Sequence, residues 1–395
     1  MRLVRQAAYR PGAMTVKRVL IVGGGPGGLV TALALRRAGI EPLVIERAPG
    51  HRALGAGVSL WPNAMKLLRH WGIGPAIEAR GAIARDTTIS TWSGRPLVTV
   101  DAGRLEARFG APLVVIHCAS LQTVLRTALG SDTLHLGADC VGLEQDARGV
   151  SVVLRDGRRH QADLVIGADG ARSTVRTMVV DDPPPRYGGI TAWRGVVPLD
   201  RRSADAMLTG QWWGSGAVFG VARLGANQAY WWATARCDGT AGGTPDHEKA
   251  DLLRWFGHWD PAIPAMIDAS VPEAIARTPL GYRPAPAPRI AGRIALLGDA
   301  ADLTSPSLGQ GACQAIEDAA AVVDSLVHQR DETLALERYS DVRRRHIRVV
   351  VRRARRLSHL SHLENPLATT VRNAVLPTAA RGALGWLAPV VGYEA

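Results

Sequence analysis

Short apolar runs separated by glycine turns open this chain. Residues 19–22 form a run that enters a glycine cluster, residues 29–38 have helical spacing and end at Gly39, and residues 43–45 form a second run. A strand, a helix with a C-cap glycine and a further strand predict a right-handed crossover with parallel strands. The first part of the chain is therefore predicted to be α/β.

Further along the chain, the pattern of apolar runs predicts antiparallel strands. Runs at 87–90 and 97–100 flank Ser93 and Gly94, which predicts a hairpin. Residues 62–71 and 120–129 have helical spacing, the latter with Ser120 as its predicted N-cap, and 164–167 predict a buried strand. Residues 190–233 alternate short β-rich runs with turns, which predicts a second domain dominated by sheet.

After the proline-rich connector 284–288, a buried strand at 294–297 and a long helix at 311–327 return the chain to its first domain. We expect a discontinuous α/β domain over 17–185 and 284–370, and a second, β-rich domain over 186–283 with 84–100 as a candidate contributor. Residues 1–16 are interpreted as a leader open to disorder, with Met14 as a candidate start, and residues 371–395 as a C-terminal tail.

Composition indicates an ordinary globular protein whose charge comes from arginine. A chain of 395 residues with 47% hydrophobic content suffices for about two domains, and its net charge of +12 arises with only three lysines. The four scattered cysteines have neither CxxC nor metal-ligand spacing, which predicts reduced thiols in a cytoplasm and no metal site. No apolar run reaches about 18 residues, so no membrane-spanning helix is predicted.

The glycine cluster has the spacing of a dinucleotide-binding turn, GxGxxG. Gly23 permits the tight turn, Gly25 lets backbone approach a pyrophosphate, and Gly28, next to Gly27, lets the helix pack on the strand. The helix N-terminus offers free N–H groups to phosphates, and Glu46 ends the second strand, where it can accept hydrogen bonds from ribose hydroxyls. The same spacing also occurs as a purely structural turn, but with strand, helix and Glu46 in register it predicts dinucleotide binding.

Two later segments specify the dinucleotide. Residues 163–173 read Asp-Leu-Val-Ile-Gly-Ala-Asp-Gly-Ala-Arg-Ser, and residues 298–313 read Gly-Asp-Ala-Ala-Asp-Leu-Thr-Ser-Pro-Ser-Leu-Gly-Gln-Gly-Ala-Cys. With the glycine turn, their order and spacing resemble those of the flavoprotein aromatic hydroxylases, the class A monooxygenases that include para-hydroxybenzoate hydroxylase. The resemblance covers nearly the whole chain. It implies an α/β fold with a Rossmann-like FAD-binding domain, built on a mixed parallel sheet, and a β-sheet substrate domain.

The resemblance implies tightly but non-covalently bound FAD, with NAD(P)H and O₂ as co-substrates. In this family NAD(P)H reduces FAD, oxygen adds at flavin C4a, and the hydroperoxide delivers an electrophilic oxygen to a small aromatic or heteroaromatic substrate. The cofactor carries the difficult chemistry while the protein positions the substrate and excludes water. No catalytic side chain is therefore assigned.

The later segments also supply cofactor-binding candidates. Asp299 can accept hydrogen bonds from ribityl hydroxyls, and the helix that begins at Gly311 can favour negative charge on reduced flavin. Both also have a structural interpretation, as a turn carboxylate and a loop before a helix. Asp169 either holds an Asx-turn or helps to position nicotinamide or the FAD pyrophosphate. The candidates in these segments are Asp169, Asp299, Pro306, Gly309, Gln310, Gly311 and Ala312.

Residues 55–64 match the family segment that runs past the flavin, which implies cofactor contact near Ser59; the alternative is a turn that leads into a helix. Arg47 or Arg52 can pair with a phosphate or remain solvated.

Two residues depart from the family pattern. Cys118 stands where relatives often have an arginine that contacts the flavin, a contact that is lost or supplied elsewhere, with Arg126 as one candidate. Asp302 follows the Gly-Asp-Ala-Ala sequence at a position where relatives often have a histidine. The resemblance therefore does not establish a proton-handling role at this position.

The substrate candidates are all in the β-rich region: Trp193, Arg194, Trp213, Phe219 and Trp232. Tryptophans in a sheet line a core more often than a chamber, so both interpretations stay open. Arg194 can hold a phenolate or carboxylate, or simply lie on the sheet face.

A helix at 334–363 carries nine arginines, eight of them between Arg343 and Arg356. Because it lacks interleaved aromatics, a solvated face is favoured over a nucleic-acid surface. Two rival functions remain: epoxidation or reduction of an olefin by FAD, and a flavin-bound regulator without turnover.

Overall fold

The structure is a computed structural model, and it describes residues 16–50, 56–84, 86–180, 182–199, 209–225, 227–239, 242–283, 288–379 and 382–393. Met14, Arg52 and nearly all of the predicted leader and proline-rich connector lie outside these residues. Within them, no single helix is long and apolar enough to cross a membrane; Pro366–Thr378 and Ala383–Val391 meet that test only as a pair, with a bend of 87° between them.

The strands, in chain order, are Arg18–Val22 (β1), Glu41–Glu46 (β2), Gly57–Leu60 (β3), Ala82–Ile83 (β4), Asp86–Thr91 (β5), Pro96–Asp101 (β6), Val114–His117 (β7), Leu134–Leu136 (β8), Cys140–Gln145 (β9), Val150–Leu154 (β10), Arg159–Ala162 (β11), Leu164–Gly167 (β12), Arg186–Pro198 (β13), Gly210–Trp213 (β14), Ala217–Leu224 (β15), Gln228–Arg236 (β16), Ala276–Tyr282 (β17), Ile290–Ala291 (β18) and Ile294–Leu296 (β19).

The α-helices are Pro26–Arg37 (α1), Pro62–His70 (α2), Gly74–Glu78 (α3), Ala102–Phe109 (α4), Cys118–Leu129 (α5), Thr174–Val180 (α6), Pro245–Phe256 (α7), Ala262–Asp268 (α8), Gly311–His328 (α9), Glu332–Ser361 (α10), Pro366–Ala379 (α11) and Ala383–Val391 (α12). Three 3₁₀ turns cover Pro272–Ala274, Gly298–Ala300 and Pro306–Leu308.

A six-stranded sheet in the order β18-β19-β12-β1-β2-β8 forms the base of the first domain. β1 is parallel to β2 and β12, and β12 is parallel to β19, so the strand after the β-rich region returns to the first sheet as predicted. Alternate residues point to opposite faces: Ile21 packs under helices α1 and α9, whereas Leu20 packs against the small sheet β9–β11. The antiparallel edge strand β18 makes the sheet mixed.

A seven-stranded sheet in the order β17-β13-β16-β15-β14-β5-β6 forms the second region. It is antiparallel except where β14 runs parallel to β5, so the hairpin β5–β6 extends this sheet at one edge. One face is covered by α7 and α8, which bury Leu252, Phe256 and Ile263 against it. The other face meets β7 of the first region through Val115 and Tyr230.

Two sequence expectations need correction. Helix α5 begins at Cys118 and not after Ser120, because His117 is the N-cap and its Nδ1 accepts a hydrogen bond from the backbone N–H of Ala119 at 3.1 Å. The tail predicted from residue 371 is helical, and α11 runs across that boundary. Histidine is not a favoured cap residue, and an isolated apolar tail has no strong helix signal.

Candidate functional site

The glycine turn between β1 and α1 requires glycine at two positions. Gly23 has φ +116°, and a Cβ added there would lie 2.4 Å from the carbonyl oxygen of Ala168; at Gly28 it would lie 2.0 Å from the carbonyl oxygen of Gly23. A Cβ at Gly27 would touch Ala315 of α9 at 3.0 Å, whereas one at Gly25 would meet nothing within 4 Å. The turn is therefore closed on the protein side and open at Gly25, where a pyrophosphate can approach.

Glu46 stands at the end of β2, beside this turn. Its Oε2 accepts a hydrogen bond from the N–H of Gly24 at 2.7 Å, and its Oε1 accepts one from the N–H of Ala48 at 2.8 Å. Each carboxylate oxygen keeps a second lone pair for a ribose hydroxyl. Glu46, Arg47 and Gly25 line a cavity of about 230 Å³, and Arg47 is exposed at its edge.

Asp169 borders the same cavity but is already engaged. Its carboxylate accepts hydrogen bonds from the Ser173 hydroxyl and from the backbone N–H groups of Thr174 at 2.7 Å and Val175 at 3.1 Å. These bonds cap the N-terminus of α6, and burial raises the pKa of Asp169. The hydrogen bonds of Asp169 are those of a helix cap, a structural role other than the predicted Asx-turn, and its contact with the cofactor stays a prediction.

Asp299 follows β19 in a 3₁₀ turn, and no hydrogen bond reaches its carboxylate from the residues that the structure describes. Burial, with a further contribution from the charge of Asp318, raises the pKa of Asp299 to about 6. A Cβ at Gly311 would lie 4.0 Å from Asp299 Oδ1, so the carboxylate adjoins the start of α9. No side chain caps that helix, which leaves its first N–H groups and positive dipole end for a ligand.

The loop before α9 meets the segment after the glycine turn. Gly309 has φ +62°, and a Cβ there would lie 3.7 Å from Cβ of Ser59, so these two predicted residues are brought together. Pro306 starts the 3₁₀ turn that leads to Gly309, and Ala312 lies in the first turn of α9, partly buried against the core. Gln310 differs, because its side chain is buried and its Oε1 accepts a hydrogen bond from Asn63 Nδ2 at 3.0 Å.

The seven-stranded sheet has one face toward β3 and β7 of the first domain. On β16, Tyr230, Trp232 and Thr234 alternate onto that face. Tyr230 packs on Gly57 of β3, where a Cβ would lie 2.7 Å from its ring, and burial raises the pKa of Tyr230 to about 12. Thr234 Oγ1 lies 2.9 Å from Nε2 of His362. Trp232 therefore lies on β16 between the contact of Tyr230 with Gly57 and the contact of Thr234 with His362.

Arg194 of β13 is the cross-strand neighbour of Trp232, and both side chains are partly exposed. Gly220 lies opposite Trp232 on β15; a Cβ there would lie 2.1 Å from the indole, so the indole covers this glycine. Arg194 donates to Thr278 Oγ1 at 3.2 Å, and its charge acts to lower the pKa of Cys118, which burial raises overall. A cation and an aromatic plane therefore adjoin at the boundary between the two regions.

Three predicted substrate residues lie elsewhere. Trp193 and Phe219 point to the opposite side of the sheet, where Trp193 is 3% and Phe219 0% exposed and Trp193 Nε1 donates to Glu248 at 2.7 Å. Trp213 shares the face of Trp232, but it is 1% exposed beneath the guanidinium of Arg372, 5.5 Å from its ring. The prediction that these three line a chamber is corrected, because strand alternation and the covering helix make them core residues.

The two departures from the family pattern have structural partners. Asp302 forms an ion pair with the buried guanidinium of Arg289, which also contacts Asp318 at 3.2 Å. Cys118 is the first residue of α5, and its backbone N–H donates a hydrogen bond to the carbonyl oxygen of Ala56, just before β3, at 2.9 Å. Arg126 lies two turns further along α5 and lines a different cavity with Gly130, so Arg194 is the arginine near Cys118.

A buried ionic network that the sequence pattern did not predict supports the Asp299 loop. Arg343 of α10 is 0% exposed and pairs with Glu317 at 2.6 Å and with Asp318 of α9. Asp318 Oδ2 accepts the N–H of Gly298 at 2.8 Å. Burial acts to raise the pKa of Asp318, but the charges of Arg289 and Arg343 hold it below its ordinary value. The signal was present, because Arg343 interrupts the apolar spacing of Leu336, Tyr339, Ile347 and Val350.

Comparisons with known proteins agree with this geometry. The family model described as FAD binding domain matches residues 17–354. The chain is 38% identical over 358 residues to the aurachin C monooxygenase/isomerase of Stigmatella aurantiaca. This alignment covers 91% of this chain and 93% of that protein. It is 31% identical over 351 residues to an FAD-dependent urate hydroxylase of Klebsiella pneumoniae, and this alignment covers 87% of this chain and 90% of that protein.

The crystal structure of Klebsiella pneumoniae HpxO complexed with FAD and uric acid superposes with a TM-score of 0.89 at 29% identity, over 98% of this chain and 99% of that one. The predicted fold, FAD cofactor and enzyme class are thereby confirmed, and a flavin-bound regulator without turnover is not retained. The chain belongs to the FAD-dependent aromatic hydroxylases, a family of flavoprotein monooxygenases.

Proposed function

We propose that this chain hydroxylates a small, planar aromatic or heteroaromatic molecule that carries a negative charge, using NAD(P)H and O₂. The observation that carries the proposal is the partly exposed pair of Arg194 and Trp232, placed side by side on the sheet face that meets the FAD-binding segments. An indole offers a plane for stacking, and a guanidinium can hold a phenolate, enolate or carboxylate. The related urate hydroxylase acts on a molecule of this kind.

The residues around the glycine turn fit FAD. The open space at Gly25, the unpartnered carboxylate of Asp299 and the uncapped start of α9 suit a pyrophosphate, a polyol chain and an electron-accepting ring. When bound, FAD supplies reducing equivalents from NAD(P)H and activates O₂. The residues proposed to hold it are Gly23, Gly25, Gly28, Glu46, Arg47, Ser59, Asp299, Gly309, Gly311 and Ala312.

The chain's own side chains orient the substrate and exclude water. Arg194 favours the ionised form of a ring hydroxyl, which is the electron-rich form that an electrophilic oxygen attacks. Tyr230 closes the chamber against β3, and its high pKa keeps the phenol neutral. His362 closes the opposite end with Thr234, and burial lowers its pKa to about 4, so it too is neutral near pH 7.

The test is a panel of phenols, quinolones and purines, screened for faster NAD(P)H oxidation in air by the purified flavoprotein. A product heavier by one oxygen supports hydroxylation. An olefin converted to an epoxide or a reduced product would instead support the rival reaction on this fold. Loss of the stimulation in Arg194→Gln, but not in Arg148→Gln on a distant turn, would locate the chamber. Equal stimulation in both variants contradicts the proposed chamber.

The cytoplasmic location stays a prediction. Its structural support is that Cys118, Cys140, Cys237 and Cys313 are free thiols.

A further inference from the structure

Helix α11 presents an uncharged apolar face to the surroundings. Leu367, Val371 and Val375 repeat every fourth residue and are 79%, 62% and 54% exposed. The only charged residue among residues 366–379 is Arg372, and its side chain is buried. A surface helix of a globular protein normally puts its polar face outward, so α11 has the opposite pattern.

The body of the protein holds α11 in this orientation. Arg372 donates hydrogen bonds to the carbonyl oxygens of Gly214 at 3.3 Å, Leu360 at 3.3 Å and Ser361 at 3.2 Å. Its guanidinium also lies over the ring of Trp213. The one ionic side of α11 therefore faces the protein, and these bonds place the middle of the helix against the end of α10.

That end of α10 is strongly cationic. Residues 342–363 contain eight arginines and no acidic residue. Arg352, Arg355 and Arg356 are exposed in its last turns, one to two turns before Leu360, which Arg372 of α11 contacts. An apolar stripe next to clustered arginines matches the chemistry of a bilayer that carries anionic headgroups.

Other occupants fit less well. A second copy of this chain would bring like charges together across a two-fold interface, which costs energy. A nucleic acid would pair with the arginines but leave the apolar stripe in water. A span is not supported, because α11 and α12 are each short and are bent by 87°.

We propose that the apolar stripe of α11 (Leu367, Val371, Val375) and the cationic end of α10 (Arg352, Arg355, Arg356) form a surface that docks the enzyme on an anionic lipid bilayer. Each arginine near such a surface contributes about fivefold to the partition coefficient, and salt weakens that contribution. The apolar residues enter the headgroup region without crossing the membrane.

The experiment is co-sedimentation of the full-length FAD-loaded protein with vesicles. One set contains phosphatidylcholine alone, and the other contains phosphatidylcholine and phosphatidylglycerol in equal parts. We expect binding to the second set only, with an affinity that falls as salt is raised. Arg352→Gln combined with Arg356→Gln should lower the partition coefficient about 25-fold, and Val371→Asp should lower it by about tenfold or more.

Matched controls separate docking from general surface effects. Val271→Asp makes the same change at a residue that is 59% exposed on a distant turn, and Arg148→Gln removes an exposed arginine elsewhere. Both should bind like the wild type, and all variants should keep their flavin absorbance. Wild-type protein that ignores the anionic vesicles, or Val371→Asp that binds them equally, overturns the proposal. A dimer that Val371→Asp dissociates would also overturn it, in favour of a second copy as occupant.

Discussion

Replacing Asp299 by asparagine should change the stability of the apoprotein and its affinity for FAD in opposite directions. Burial and the charge of Asp318 raise the pKa of Asp299 from 3.8 to about 6. Between these two values the unfolded chain has already lost the proton that the folded chain still holds, so stability falls as pH rises through this window. Above pH 6 the folded apoprotein carries the full cost of a buried charge, and below about pH 4 it carries none.

The size of this cost follows from the shift. About two pKa units correspond to about 3 kcal/mol, and because Asp299 is partly exposed we expect roughly 1–3 kcal/mol. Asp299→Asn removes this cost, so the variant apoprotein should be more stable at pH 7.5 by that amount. Hydroxyl donors on FAD favour the ionised carboxyl, so wild-type affinity for FAD should fall as pH drops below about 6, by up to about tenfold per pH unit. The variant should bind FAD more weakly at pH 7.5 and lose this pH dependence.

Both quantities are measurable on deflavinated protein. Urea denaturation at pH 5 and 7.5 gives the free energy of unfolding, and fluorescence titration with FAD gives the dissociation constant. Asp86→Asn, at an exposed position, serves as the control. A variant that is less stable at pH 7.5, or that binds FAD with unchanged affinity and pH dependence, would refute the assignment of Asp299 as a buried cofactor ligand.

Three further outcomes are expected. Arg194→Gln should raise KM for an anionic substrate about 10- to 100-fold through loss of a charge-assisted bond, while FAD affinity is unchanged; steady-state kinetics on the best compound of the panel check this, and an unaltered KM speaks against the anchor. Gly220→Ala should displace the indole of Trp232, lowering kcat/KM at a stability cost of about 1–3 kcal/mol, as kinetics and thermal denaturation will show; normal turnover would mean that the indole does not touch substrate. Arg343→Leu should cost about 3–5 kcal/mol in urea denaturation, because it leaves Asp318 with one fewer buried partner; a loss below about 1 kcal/mol would show that the network relaxes.

Local steric rules made the first domain readable from the sequence. The turn at Gly23 and Gly28 admits only glycine, and the apolar run of β12 was predicted with its observed bounds. Helix α9 and strand β19 were also placed within a residue or two. These features depend on backbone conformation and on the spacing of apolar residues, which neighbouring residues set.

The side of the larger sheet that each tryptophan faces could not be predicted in the same way. Trp193 and Trp232 have similar sequence contexts, yet Trp193 lies under α7 and Trp232 faces the opposite side of the sheet, where the chamber is proposed. Which face of a strand is covered depends on helices and strands that are distant in sequence, and a shift of one residue exchanges the two faces. The same holds for Trp213, which is covered by Arg372 of α11, a helix that overlaps the predicted C-terminal tail.

The arginines of α10 also divide into those whose environment the sequence predicted and one whose environment depends on packing. The sequence predicted a solvated arginine helix, and the exposed Arg352, Arg355 and Arg356 fit that description. Arg343 does not, because the packing of α10 on α9 brings Glu317 and Asp318 to it. The three motifs and their resemblance to the aromatic hydroxylases were thus enough to predict an FAD-binding monooxygenase. Which side chains face the substrate, which are neutralised in the core and which remain outside depends on long-range packing, since contacts between distant segments set the burial of each group.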